Sequence, residues 1–107
     1  MEWLIAKAHE IALEKGWWDN NPGFAGLTAN LHGEVSEAWE EYRKGNGLGE
    51  IYYSEGEKPE GIPVELADVI IRIFDFCGRY EIPLEKAMHE KMAYNQTRPY
   101  RHGGKIA

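Results

Sequence analysis

Two pairs of carboxylates carry the chemistry this sequence offers: Glu34 and Glu37 in the stretch HGEVSEAWEEYR, and Glu65 and Asp68 in PVELADVIIRIFD. Within each pair the acids are three residues apart, so on an α-helix both project from one side, a turn apart. Each stretch is also strongly apolar and is expected to pack. Bringing two such helices together crowds four negative charges, which repel unless a cation lies between them. Oxygen-only ligands suit a hard divalent cation, Mg²⁺ or Mn²⁺, and Mg²⁺ is commonly bound through a few carboxylates plus substrate phosphates. The pattern therefore points to a shared metal site and to a nucleotide or another phosphorylated substrate.

The helices must present these acids in a particular way. At about 100° per residue, Glu34, Glu37 and Glu41 fall within roughly 60° of one another, beside a stripe of Leu27, Leu31, Val35, Ala38, Trp39 and Tyr42. Glu65 and Asp68 flank Leu66, Val69, Ile70, Ile73, Phe76 and Cys77 on the same rotational side. Antiparallel packing of the two helices puts both acid edges on one side of the seam and builds a single acidic cleft. Parallel packing would separate them.

Turn signals divide the chain into four helices. The first is expected from about Glu2 to Lys15, with Leu4, Ile5, Ala8, Ile11 and Ala12 on one face and Gly16 as its stop. Trp17 and Trp18 precede the turn cluster Asp19 to Gly23, and the second helix is expected from near Phe24 to Lys44. Gly26 and Gly33 lie inside it, each expected to mark a close approach of a neighbour, since a helix-interior glycine costs about 1 kcal/mol against alanine. Pro63 opens a third helix that runs to about Tyr80, and Pro83 a fourth that runs to about Thr97, where Pro99 ends it. The connection from 45 to 62 is expected to hold a small β-hairpin, with strand character in Glu50 to Ser54 and a turn at Ser54 to Glu57. The fold class is all-α, one domain spanning 1–107.

In the fourth helix Lys91 and Asn95 fall near the centre of the apolar face set by Leu84, Ala87, Met88 and Met92. A lysine there is costly to bury without a partner, so both residues are read as facing the acidic cleft, Lys91 toward a phosphate and Asn95 toward a sugar or phosphate oxygen. A basic tail, about 98–107, adds Arg98, Arg101, His102 and Lys105 as a cover over bound phosphates. His9, His32 and His89 show no spacing that joins them to the acids and read as structural or surface residues. Trp17, Trp18 and Tyr94 read as packing or subunit-contact residues.

A net charge of −6 argues against nucleic-acid or anionic-membrane partners, which need a basic footprint. No apolar run approaches the roughly 18 residues of a membrane span, and no stretch reads as a signal peptide. A single cysteine, Cys77, precludes an intrachain disulfide, and the cytoplasm is the expected compartment.

With 27 residues between them, the pairs Glu34-Val-Ser-Glu37 and Glu65-Leu-Ala-Asp68, followed by an ending that runs from Lys91 through Asn95 and Arg98 to Gly104, resemble the MazG-like family of all-α nucleoside triphosphate pyrophosphohydrolases. The resemblance implies Mg²⁺-dependent cleavage of a nucleoside triphosphate to the monophosphate and pyrophosphate, as in house-cleaning of the nucleotide pool. It implies Glu34, Glu37, Glu65 and Asp68 as metal ligands, one glutamate, taken as Glu37, activating the attacking water, and Lys91, Asn95 and Arg98 as substrate contacts. It further implies a homodimer or homotetramer whose neighbouring subunits complete the bundle. The alternatives are the related phosphoribosyl-ATP pyrophosphohydrolases and a non-catalytic helical partner-binding module of the same fold. A ferritin-like di-iron protein would need Glu-x-x-His pairs, and no glutamate here has a histidine three residues later.

Overall fold

Four helices and one short antiparallel hairpin make up the computed structural model, which describes residues 1–100. The elements are α1 (Glu2–Glu14), α2 (Gly23–Arg43), β1 (Tyr52–Ser54), β2 (Lys58–Glu60), α3 (Ile62–Tyr80) and α4 (Leu84–Thr97). The expected helices and hairpin are all present, with ends displaced by a residue or so. Helix α1 stops at Glu14 because Gly16 turns the chain at φ +74°, and α3 carries Pro63 in its first turn, where no intrahelical N–H is needed. In the hairpin Tyr52 pairs with Glu60 and Ser54 with Lys58, around a tight turn at Glu55–Glu57.

Helix α3 is the centre of the fold, with α1 and α2 both packed on it. Ile5, Ala8 and Ala12 of α1 and Phe76 and Cys77 of α3 are buried in the core, as are Ala38 and Ile62. The small side chains of α1 let it approach closely. A Cβ added at Gly78 of α3 would lie 2.9 Å from His9 Cβ and 3.3 Å from the Ile5 carbonyl oxygen. Trp18, Phe24, Phe76 and Tyr80 cluster with ring centroids 4.7 to 6.2 Å apart. Asn21 Nδ2 donates to Tyr80 Oη at 2.8 Å and ties the α1–α2 turn to α3.

Helices α2 and α3 are antiparallel: Phe24 stacks near Phe76, Glu34 pairs with Arg72, and Glu37 lies by Glu65. The hairpin is pinned to α2 by Glu41, a buried carboxylate 6% exposed. Tyr52 Oη lies 2.9 Å from both of its oxygens, and Asn46 Nδ2 donates to it as well. Gly61 lets the returning strand cross Glu50: it sits at φ +122°, and a Cβ there would lie 2.3 Å from the Glu50 carbonyl oxygen.

The chain leaves much of its apolar surface open. Val35, Trp39, Tyr42, Leu66 and Ile70, all expected in the core stripes, are each half exposed or more, and so is Leu4. Nothing lies within 4 Å of a Cβ built at Gly33, so among the described residues that glycine marks no close approach. The Cα radius of gyration is 16.7 Å, against about 13 Å for a compact chain of this length. Helix α4 is the extreme case, with no buried residue and no extensive packing on another element.

Candidate metal centre

Antiparallel packing brings the acid edges of α2 and α3 face to face. Glu34, Glu37 and Glu65 each present an oxygen within 4.8 Å of the others. Ligands on opposite sides of an octahedral Mg²⁺ lie about 4.2 Å apart, given bonds of about 2.1 Å, so small side-chain adjustments would let all three reach one ion. The donor set also shows where the oxygens lack partners: Glu34 Oε2 and Glu65 Oε2, from different helices, are buried with no hydrogen-bond partner. Desolvated carboxylate oxygens without donors are destabilising, and a hard cation between the helices would satisfy both. The residues present fit a divalent metal.

The electrostatics agree with this arrangement. Burial, then the close approach of the Glu37 carboxyl and the negative charges of Glu37, Asp68 and Glu34, push Glu65 up to about 7. Asp68 lies outside the group of three but within its field. Burial and the charges of Glu34 and Glu37 raise its pKa, while Arg72 and Lys58 oppose the rise. Asp68 and Glu34 also line a cleft of about 360 Å³ together with Trp17, Ile71, Arg72 and Asp75. That volume lies within the range of small-ligand sites.

Glu41, on the same rotational edge as Glu34 and Glu37, is not part of the cluster, because its carboxylate is taken by Tyr52 and Asn46. Lys91, Asn95 and Arg98 are exposed. The Lys91 ammonium lies 5.2 Å from the Tyr94 ring centroid, and α4 has no extensive packing on α2 or α3. Lys91, expected to face the acidic cleft, stands in solvent with its charge over an aromatic face. Arg101, His102 and Lys105 of the basic tail lie outside the described residues.

Two features of the site escaped the sequence pattern. Arg72 donates from Nε to Glu34 Oε1 at 2.9 Å, with Nη2 at 2.8 Å from the same oxygen. Its position four residues after Asp68 puts it on the acid edge of α3, a signal the helical spacing contains. Asp75, three residues further, is held by α1 and the following turn: Trp18 Nε1 donates to its Oδ1 at 2.9 Å, and His9 Nδ1 lies 2.8 Å from the same oxygen. A carboxylate oxygen accepts, so His9 carries its hydrogen on Nδ1. His9 is thus a structural residue, 66 positions away from its partner, and no local spacing announces the pair. Among the described residues no helix is long and apolar enough to cross a membrane. Comparison of the chain with protein-family models, with curated proteins and with solved structures returned no match.

Proposed function

We propose that this chain is a Mg²⁺-dependent nucleoside triphosphate pyrophosphohydrolase that cleaves between the α and β phosphates and releases the monophosphate and pyrophosphate. The observation that supports it most is the meeting of Glu34, Glu37 and Glu65 across two antiparallel helices with two carboxylate oxygens buried and unpartnered. Mn²⁺ would serve in the same place. When bound, such a cation neutralises phosphate charge and acidifies water. Glu34 and Glu65 supply the buried ligand oxygens, and Asp68 adds its charge beside them. Glu37 is the exposed member of the three and would take a proton from a water entering from solvent while it also holds a ligand position. Electrostatic neutralisation and positioning would supply most of the rate.

In this reading Lys91, Asn95 and Arg98 bind substrate only after subunits associate, since α4 stands apart from the acids in its own chain. A homodimer or homotetramer would cover the open faces of α2, α3 and α4. The test is a panel of the eight common ribo- and deoxyribonucleoside triphosphates with Mg²⁺ and pyrophosphate detection. Release that needs Mg²⁺ and disappears in Glu37→Gln supports the reading. Absence of release from the whole panel, and from the phosphoribosyl-ATP of histidine synthesis, leaves the non-catalytic module.

A further inference from the structure

Arg72 does more than the described ion pair requires. Its Nε and Nη2 converge on a single oxygen of Glu34, Oε1, and leave the other, Oε2, buried and free of donors. A guanidinium has five N–H donors in a fixed fork, so Nη1 and the second Nη2 hydrogen remain. The Glu34 side chain is 11% exposed, while that of Arg72 is 43% exposed. Asp75, three residues on, accepts from His9 and Trp18 and forms no ion pair with Arg72 among the described residues. Among the residues lining the 360 Å³ cleft, Arg72 is the one cation. Pairing with the enclosed Glu34 carboxylate occupies only part of the fork, and the rest of the guanidinium stays open to the cleft.

We propose that Arg72 holds two partners at once: its Nε and Nη2 fix Glu34 with Oε2 turned toward Glu37 and Glu65, and its remaining N–H groups take an oxygen of a polyphosphate chain entering the cleft. This rests on the proposed metal site for Glu34 but not on turnover. Guanidinium matches phosphate oxygens in plane and keeps its charge at any working pH, so one side chain would set the distance between the metal ligands and the anion.

Two variants test it on the full chain. Mn²⁺ binding is measured without nucleotide by electron paramagnetic resonance, and inorganic tripolyphosphate binding is measured by calorimetry with saturating Mg²⁺. Arg72→Gln is expected to weaken Mn²⁺ severalfold and tripolyphosphate about tenfold or more. Arg72→Lys, which keeps the charge and loses the fork, should recover part of the tripolyphosphate affinity and little of the Mn²⁺ affinity. Unchanged tripolyphosphate binding in Arg72→Gln, or none in the wild type, overturns the anion contact. Unchanged or tighter Mn²⁺ binding overturns the positioning of Glu34. Binding that follows the expected pattern in a protein that turns over no triphosphate removes the proposed function and leaves Arg72 as assigned. Turnover by Arg72→Gln with unchanged KM does the reverse.

Discussion

Glu65→Gln separates the cost of the acid cluster from its use. In the metal-free protein Glu65 is raised from an ordinary value of 4.5 to about 7 by burial and by Glu37, Asp68 and Glu34. A carboxyl whose folded pKa is raised binds more protons folded than unfolded, so its contribution is most favourable below about pH 4.5. Stability then falls as pH climbs to about 7 and is level beyond it. At about 1.4 kcal/mol per pKa unit the full shift would be worth roughly 3 kcal/mol, and solvent screening of a partly exposed cluster reduces this to about 2 kcal/mol. The substituted amide cannot ionise and mimics the protonated acid. The stability of Glu65→Gln relative to wild type should therefore rise by about 2 kcal/mol between pH 4 and pH 8, whatever the amide's baseline effect. Urea unfolding followed by circular dichroism, at one fixed protein concentration and in EDTA, measures this difference. With Mg²⁺ at a hundred times its Kd, the wild type should gain about 2.7 kcal/mol at pH 8 and the mutant little. A mutant equally destabilised at both pH values, with the Mg²⁺ gain intact, would refute the reasoning and make Glu65 an ordinary flank residue.

Other outcomes follow from the same geometry. Asp68→Asn should melt at the same temperature as wild type or higher without metal, since it removes like charge, and lower with Mg²⁺; it should lose orders of magnitude in pyrophosphate release, checked by paired melts and the release assay. Lys91→Ala should weaken triphosphate turnover and leave Mn²⁺ binding within about twofold. Tyr52→Phe should lower the urea midpoint, because it removes one of the two donors, Tyr52 and Asn46, that hold the buried Glu41 carboxylate. Light scattering at micromolar concentration should give a mass above that of one 12.3 kDa chain, since the open faces of α2 and α3 need cover.

The helices were legible because their ends carry strong local chemistry: Gly16 at positive φ, Pro63 in a first turn, Pro83 before Leu84. The hairpin was legible for the same reason, with Glu55–Glu57 turning between two short strands. Helical spacing also put Glu34, Glu37 and Glu65 on facing edges, and antiparallel packing then joined them. What spacing could not resolve is which edge residue has a better partner elsewhere. Glu41 has the rotational address of a cluster member, yet Tyr52 and Asn46 from the connection claim it. Arg72 has the same kind of address and does join Glu34. Asp75 depends on His9 and Trp18, which lie far away in the chain. Trp39 and Tyr42 read as core and stand exposed beside each other, ring centroids 5.7 Å apart. An apolar stripe records surface suited to packing, and the contacts within this chain cover only part of it.

The central claim is hydrolysis at the α phosphorus of a nucleoside triphosphate by a cation held between α2 and α3. Turnover of the best substrate in ¹⁸O-labelled water, with Mg²⁺ and mass spectrometry of both products, addresses it directly. Attack at the α phosphorus predicts one ¹⁸O atom in the nucleoside monophosphate, none in the pyrophosphate, and no product in EDTA. Label in pyrophosphate, release of orthophosphate in its place, or no product from any triphosphate would contradict it.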